Sequence, residues 1–192
     1  MTYSQAITYL YGLQRFGVKL GLENIRRLLE ALGDPHRRFP SILIGGTNGK
    51  GSTAAFLASI LRTSGYRVGL YTSPHLLEFT ERIRVDGRAI AKADVANLTD
   101  EVRSIVANLF PAFATSHLAP RTPSHPTFFE ISTALAFLHF FRCGVDYVVA
   151  EVGLGGRFDA TNVLDPEVAV ITNIALEHQD YLGKTLEAIA AE

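Results

Sequence analysis

A glycine-rich stretch that lies between an apolar run and a helical pattern carries the residues best suited to chemistry. It follows residues 41–44 and consists of Gly45, Gly46, Thr47, Asn48, Gly49, Lys50, Gly51 and Ser52. Glycines permit a tight turn in which backbone N–H groups face an anion, and the following helix N-terminus adds partial positive charge. Lys50 supplies a full positive charge, and Ser52 offers a hydroxyl to a phosphate-bound Mg²⁺. The spacing therefore predicts a nucleoside triphosphate site.

This stretch departs in one respect from the common phosphate-binding loop. The common loop ends in Gly-Lys followed directly by Ser or Thr, whereas here Gly51 stands between Lys50 and Ser52. The alternative interpretation is an ordinary glycine-rich turn between a strand and a helix. We favour the phosphate site, because strand, loop, lysine and hydroxyl all occur in the required order.

Three further polar residues stand at or beyond the ends of apolar runs: Ser73, Glu151 and His178. In open parallel sheets, ligands bind beyond the carboxyl ends of the strands, so these side chains are expected to converge on the phosphates. A hydroxyl, a carboxylate and an imidazole form a workable ligand set for a divalent cation that retains waters. Glu151 is the strongest of the three candidates for a metal ligand, because a carboxylate within an apolar run is costly to bury without a cation.

Other interpretations of these residues stay open. Ser73 precedes Pro74, so turn formation also explains its hydroxyl. His178 by itself is equally well explained by a structural role. We interpret His75, His125 and His139 as structural or surface residues.

The pattern of apolar residues predicts alternating helices and strands. Helices are expected at 3–16, 22–33, 51–64, 92–109, 127–142 and 186–191, and strands at 41–45, 68–72, 83–88, 147–152 and 168–172. Two of the strands, 147–152 and 168–172, are typical of buried strands in a parallel sheet. Residues 110–126 contain four prolines and are predicted to form a surface loop. The alternation predicts an α/β fold that contains a P-loop and has a mostly parallel sheet flanked by helices.

Composition limits the classes of function. The chain has 192 residues, of which 47% are hydrophobic and 19% charged, and its formal net charge of −1 gives no reason to expect nucleic acid or an anionic membrane as a partner. A single cysteine, Cys143, excludes an intramolecular disulfide. The N-terminus has neither a basic start nor a long apolar run, so we expect a cytoplasmic protein without a signal peptide or a membrane span.

Five segments resemble the folylpolyglutamate synthase / dihydrofolate synthase family of the Mur ligase superfamily. They are Gly46 to Ser52, Tyr71 to Leu76, Phe79 to Ile83, Glu151 to Asn162 and Ile174 to Gly183. The resemblance extends over nearly the whole chain and implies the Mur ligase central-domain fold. The long glycine-containing segment that begins at Glu151 is its most specific part.

The resemblance implies ATP-dependent amide ligation with Mg²⁺. A carboxylate of dihydropteroate or folate attacks the γ-phosphate of ATP, and the amine of L-glutamate then displaces phosphate from the acyl phosphate. The family's pattern implies catalytic roles for Lys50, Glu151 and His178. It also implies that Ser73 and Glu151 bind a first Mg²⁺, and that Glu151 and His178 bind a second.

The resemblance also implies contacts with the pterin acid. The family places them at positions that match Gly17, Val18, Lys19, Leu20, Thr127, Phe128 and Phe158. An aromatic ring can stack on a flat pterin. The alternative is that Phe128 and Phe158 belong to the ordinary core.

The chain departs from the family at its C-terminal end. Members carry a lysine fifteen residues after the histidine, which corresponds to position 193, and a further C-terminal α/β domain. The resemblance therefore implies that residues 1–192 are an N-terminal ATP-binding domain, which alone would bind ATP weakly and ligate poorly. Self-association through the surface left by the missing domain is a further expectation.

Two alternatives to a folate ligase remain. The first is a Mur-type ligase that acts on another carboxylic acid, although the segments 79–82 and 151–153 favour the folate branch. The second is a non-catalytic module that binds Mg-ATP or a partner without ligating anything.

Overall fold

A six-stranded sheet organises the molecule, which is a computed structural model that describes residues 1–19, 21–111 and 125–192. The strands are β1 (Ser41–Gly45), β2 (Val68–Tyr71), β3 (Ile83–Val85), β4 (Arg88–Ala89), β5 (Tyr147–Glu151) and β6 (Val168–Ile171). They lie in the order β4-β3-β2-β5-β1-β6. The neighbouring strands β2, β5, β1 and β6 run parallel to one another. Strands β3 and β4 extend the sheet beyond β2 by antiparallel pairing. The predicted α/β fold with a mostly parallel sheet is confirmed.

Helices cover both faces of this sheet. They are α1 (Tyr3–Gly12), α2 (Glu23–Ala31), α3 (Lys50–Thr63), α4 (Lys92–Leu109), α5 (Phe128–Cys143), α6 (Gln179–Leu182) and α7 (Leu186–Ala191). Short 3₁₀ helices occur at Leu13–Phe16, Pro35–Arg37, Phe79–Arg82 and Ala160–Val163. Among the described residues, no helix is both long and apolar enough to span a bilayer.

The core is divided by the sheet into a small and a large part. On one face, α3 buries Ala54 and Ala58 against residues of β1, β2 and β5. On the other face, α5 packs on the sheet, and α1, α2 and α4 pack around α5. Because α5 is covered on nearly every side, it is apolar almost throughout, with Phe137 and Phe140 fully buried. The two layers hold the carboxyl ends of the parallel strands at one rigid edge.

Local sequence signals account for several boundaries. Helix α5 begins with a capping box in which the Thr127 hydroxyl accepts from the Glu130 N–H, and the Thr127 N–H donates to the Glu130 carboxylate at 2.7 Å. The β3–β4 hairpin turns at Asp86 and Gly87, both of which have positive φ, as a two-residue turn requires.

Strand β6 differs from its sequence prediction. The run 168–172 is apolar and was expected to be a buried strand, but the structure places β6 at the edge of the sheet with Val168 and Ile171 exposed. The prediction that this strand is buried is therefore wrong. An apolar run predicts a strand but does not determine how many strands lie beside it in the sheet.

Other differences are small. The first predicted helix, 3–16, is an α-helix followed by a 3₁₀ turn, and the predicted strand 83–88 is the hairpin β3–β4. The short helix α6, which begins directly after His178, was not predicted. Most of the predicted loop 110–126 lies outside the described residues, as does Leu20.

Candidate active site

The glycine-rich loop connects β1 to α3 in a conformation that depends on glycine. Gly46 has φ +122° and Gly49 has φ +83°, which lies in the left-handed region that side chains disfavour. Helix α3 begins at Lys50, so the N–H groups of its first turn point out of the loop with no partner within the helix. The Lys50 ammonium donates to the carbonyl oxygens of Gly46 at 2.6 Å and Thr47 at 3.1 Å, which holds its charge at the loop.

The segment after β6 fixes this loop from outside. The Thr47 N–H donates to the carbonyl oxygen of Asn173 at 2.8 Å, and the Asn48 N–H donates to the side-chain oxygen of Asn173 at 2.8 Å. The Thr47 hydroxyl accepts from the Ala175 N–H at 3.0 Å. Because these bonds use the first N–H groups of the loop, the start of α3 presents the N–H groups left for an anion.

Glu151 is a buried carboxylate at the carboxyl end of β5. Its side chain lies against the start of α3, since a Cβ added at Gly51 would be 3.4 Å from both carboxylate oxygens, and only 5% of the residue is exposed. The Ser73 N–H donates to its Oε2 at 2.9 Å. Burial raises the pKa of the Glu151 carboxyl, while the Ser73 hydrogen bond and the charges of Lys50 and Arg82 oppose that rise. A cation at this carboxylate would relieve the cost of its burial.

His178 sits at the cap of α6 with φ +45°. Its side chain is 54% exposed, and its Nε2 lies 3.9 Å from Oε2 of Glu177. At this exposure the imidazole is accessible to a ligand from solvent. His178 is therefore not a core histidine, but its position at the cap of α6 leaves the structural alternative open.

A cleft of about 400 Å³ brings the predicted phosphate and metal residues together. Its lining is Thr47, Asn48, Gly49, Lys50, Gly51, Ser52, Ser73, Pro74, Glu151, Gly153 and His178. Gly46, the remaining residue predicted for the phosphates, precedes this lining and lies in a neighbouring cavity with β6 residues. The cleft thus joins the glycine loop to all three residues predicted at the strand ends.

The donor chemistry of this cleft suits Mg²⁺. The described residues contain no cluster of three or more His, Cys, Asp and Glu side chains able to hold a metal ion. Mg²⁺ does not require one, because it keeps several waters and takes phosphate oxygens alongside one or two carboxylates. Ser73, Glu151 and His178 therefore fit a metal that arrives with a nucleotide.

A second cavity of about 370 Å³ contains the residues predicted to contact the pterin acid. Gly17, Val18, Lys19, Thr127, Phe128 and Phe158 all line it. Leu20, the seventh residue of that prediction, lies outside the described residues. Phe158 is 40% exposed and is not a core residue, whereas Phe128 is partly buried and packs against the large core while it lines the cavity, so the core alternative stays open for Phe128.

The two cavities share a wall. Ser73, Pro74 and Gly153 line both of them. A flat molecule in the second cavity can therefore place one end next to a phosphate group in the cleft. Cavities that adjoin in this way can hold two ligands next to each other.

Sequence reasoning missed two residues that shape the second cavity. The buried Asp159 carboxylate holds the glycine-containing segment by accepting from the N–H groups of Gly153 at 3.1 Å and Leu154 at 3.0 Å, and from Thr161. Arg82 is buried and lines the same cavity. Asp159 directly precedes a 3₁₀ helix, a position typical of a capping residue, and that signal could have identified it.

Comparison with known proteins gives one family. The Mur ligase middle domain matches residues 44–192. The chain is 46% identical over 190 residues to a probable bifunctional folylpolyglutamate synthase/dihydropteroate synthase of Haloferax volcanii, covering 99% of this chain and 22% of that protein. It is 42% identical over 191 residues to the dihydrofolate synthase/folylpolyglutamate synthase of Bacillus subtilis (strain 168), covering 99% and 42%.

Solved structures agree with the sequence relatives. An FPGS–AMPPCP–folate complex superimposes with a TM-score of 0.85 at 39% identity, covering 98% of this chain and 44% of that one. The chain thus spans less than half the length of the relatives it matches.

Proposed function

The chain belongs to the Mur ligase middle-domain family, and from that premise we propose that it binds Mg-ATP and a folate-type acid as part of an ATP-dependent ligase. The ligase adds L-glutamate to dihydropteroate, to a folate, or to both. The observation that carries the proposal is the wall of Ser73, Pro74 and Gly153 that the phosphate cleft shares with the second cavity. The relatives' names and the FPGS–AMPPCP–folate complex support the choice of ligands.

The proposed reaction has two steps. A carboxylate oxygen of the acid attacks the γ-phosphorus, the bond to ADP breaks, and an acyl phosphate forms. The amine of L-glutamate then attacks the acyl carbon and phosphate leaves. Holding the carboxylate and the γ-phosphate next to each other where the two cavities adjoin removes much of the entropic cost of the first step.

Named side chains would perform the binding. Lys50 and the N–H groups at the start of α3 would hold the phosphates. Ser73 and Glu151 would hold one Mg²⁺, and Glu151 with His178 a second, and bound Mg²⁺ supplies charge neutralisation on the phosphoryl group. Gly17, Val18, Lys19, Thr127, Phe128 and Phe158 would contact the pterin acid.

The domain assignment is part of the same proposal. We assign residues 1–192 as an ATP-binding domain in the sense of the longer relatives. L-glutamate is the proposed amine on the strength of those relatives' names.

A cytoplasmic location is proposed from the lone Cys143, which is a free thiol, and cell fractionation would test it.

Self-association is proposed through the surface left by the missing domain, and we take the edge strand β6 as part of that surface. Val168 and Ile171 are exposed there, and β6 has a sheet neighbour on one side, β1, within the described residues. An open apolar strand edge can pair with the same edge of a second copy. Sedimentation velocity should detect a dimer that Val168→Lys removes; a monomer at all concentrations would refute this pairing.

Calorimetric titration of the 192-residue chain tests the proposed function. We expect Mg-AMPPCP to bind, and dihydropteroate or tetrahydrofolate to bind to the nucleotide complex. Lys50→Met should weaken AMPPCP binding while leaving pterin-acid binding intact, because Lys50 lines only the phosphate cleft of these two cavities.

The same titration separates the alternatives. Binding of Mg-AMPPCP without either pterin acid would reject the folate ligase and leave a nucleotide-binding module. Displacement of a pterin acid by a UDP-muramyl substrate at lower concentration would indicate a Mur-type ligase for another acid.

A further inference from the structure

Arg82 is a buried guanidinium that lines a cavity and forms no direct ion pair within the described residues, although its charge acts on the nearby Glu151 carboxyl. It is 7% exposed and lines the second cavity. Across residues 1–19, 21–111 and 125–192, no carboxylate forms an ion pair with it. Buried arginines are normally paired, because an isolated buried charge is costly. A ligand that carries negative charge would supply the missing partner.

The other charged groups on this cavity wall are already engaged. The Glu130 carboxylate accepts from the Thr127 N–H, and the Asp159 carboxylate accepts from the N–H groups of its own loop. The Lys19 ammonium donates to the His125 carbonyl oxygen at 2.8 Å. Lys19 keeps further N–H donors, but Arg82 is the charged side chain of this lining that offers the paired NH₂ groups of a guanidinium.

Two neighbours fix the position of the guanidinium. Its Nε donates to Nδ1 of His75 at 2.8 Å, and its Cζ lies 5.2 Å from the centre of the Phe128 ring. Because Nδ1 accepts, the His75 proton belongs on Nε2, which lies 3.1 Å from the Tyr11 hydroxyl. As far as the described part of the chain shows, the two Nη groups are left for a ligand.

The hydrogen bond to His75 uses the Nε–H group, which is the one donor of the guanidinium that does not belong to its two NH₂ groups. No described residue accepts a side-chain hydrogen bond from the Nη atoms. The two NH₂ groups match the two oxygens of a carboxylate. The aromatic wall of Phe128 and Phe158 suits a flat ring that would carry such a carboxylate.

We propose that Arg82 is a specificity-determining residue that binds the carboxylate of the acid substrate, and that His75 is its positioning residue. The inference rests on the proposed function and adds how the cavity selects an acid. Arg82 holds the carboxylate by two parallel hydrogen bonds on the substrate side of the wall formed by Ser73 and Pro74. A neutral analogue of the same shape lacks this interaction and is discriminated against.

The test compares two ligands that differ only in the carboxylate. Calorimetry of the 192-residue chain with Mg-AMPPCP would use dihydropteroate and 6-anilinomethyl-7,8-dihydropterin, its decarboxylated analogue. The wild type should prefer dihydropteroate by on the order of 10- to 100-fold. Arg82→Met should remove that preference and leave the affinity for the analogue unchanged.

Matched variants make the result specific. Arg84→Met is the control, because Arg84 lies two residues along, donates to the Glu81 carbonyl oxygen and lines a different cavity. Arg82→Lys retains a charge and should keep part of the preference, which preserves the test if Arg82→Met does not fold. His75→Phe should reduce the preference, and His75→Asn should restore it, because an amide oxygen can replace Nδ1 as the acceptor.

The outcomes distinguish this inference from the proposed function. If neither ligand binds the wild type, the proposed function fails. If both bind the wild type equally, or if Lys19→Met and not Arg82→Met removes the preference, the role of Arg82 is refuted while the cavity's assignment to a pterin stands.

Discussion

Replacing Glu151 with glutamine should abolish the Mg²⁺-dependent part of nucleotide binding and make the nucleotide-free chain more stable. The carboxylate is 5% exposed, and within the described residues its hydrogen-bond donors are backbone N–H groups. Glutamine keeps an oxygen for the Ser73 N–H but removes the charge that a cation needs. We expect Mg²⁺ to tighten AMPPCP binding at least about 10-fold in the wild type and not at all in Glu151→Gln.

The stability gain follows from the cost of burying the charge. Removing that cost should raise the free energy of unfolding by about 1 kcal/mol at neutral pH. Burial raises the pKa of Glu151 in the folded chain, so its contribution to stability is fully present below its unfolded pKa and is lost as the pH rises through the folded value. The advantage of Glu151→Gln should therefore vanish near pH 4 and grow towards neutral pH.

Urea unfolding at several pH values and AMPPCP titrations with Mg²⁺ or EDTA would measure both effects. Glu30→Gln is the matched control, because Glu30 is an exposed carboxylate on α2, away from the cleft. Equal Mg²⁺ dependence in the wild type and Glu151→Gln would show that Glu151 is not a metal ligand. A loss of stability at neutral pH would contradict the charge-burial argument.

Replacing Gly46 with alanine should distort the glycine-rich loop between β1 and α3, destabilise the folded chain and abolish nucleotide binding. An added Cβ would lie 2.2 Å from the Thr172 hydroxyl oxygen and 2.9 Å from the Asn173 carbonyl oxygen, and φ is +122°. The hydroxyl can rotate, but the carbonyl belongs to the backbone that accepts from the Thr47 N–H. We expect a loss of about 2–4 kcal/mol in unfolding free energy and no measurable AMPPCP binding.

The variant Gly65→Ala separates the cost of a side chain at positive φ from the cost of the steric clash expected at Gly46. Gly65 follows the other end of α3 with φ +94° and has no atom within 4 Å of an added Cβ. It should cost about 1 kcal/mol and leave AMPPCP affinity unchanged. Urea unfolding and calorimetry of the two variants give the comparison. Equal losses of stability would show that the contact with the segment after β6 does not constrain the loop.

The sequence predicted those parts of the molecule that depend on local patterns. The glycine loop, the capping box at Thr127 and the strand that ends in Glu151 were all recognisable, because backbone conformation and burial cost act within a few residues. The gathering of Ser73, Glu151 and His178 at one cleft followed from the topology of parallel strands.

Features set by contacts between distant segments could not be predicted. Asn173 holds the N–H groups of Thr47 and Asn48 from across the sheet, and nothing in its local sequence indicates this. The exposure of β6 depends on the order of the strands. The lack of an ion pair at Arg82 also depends on the tertiary structure, because the Glu130 and Asp159 carboxylates on the same cavity wall accept hydrogen bonds from backbone N–H groups.

The central claim is that the acid's carboxylate and the γ-phosphate meet at the wall of Ser73, Pro74 and Gly153. Carbon–phosphorus dipolar NMR of the frozen complex of this chain with Mg-AMPPCP and carboxyl-¹³C dihydropteroate measures their separation. A near-attack arrangement, with the oxygen about 3–3.5 Å from phosphorus, predicts strong dephasing by the γ-phosphorus. Two bound ligands without that dephasing would contradict the account.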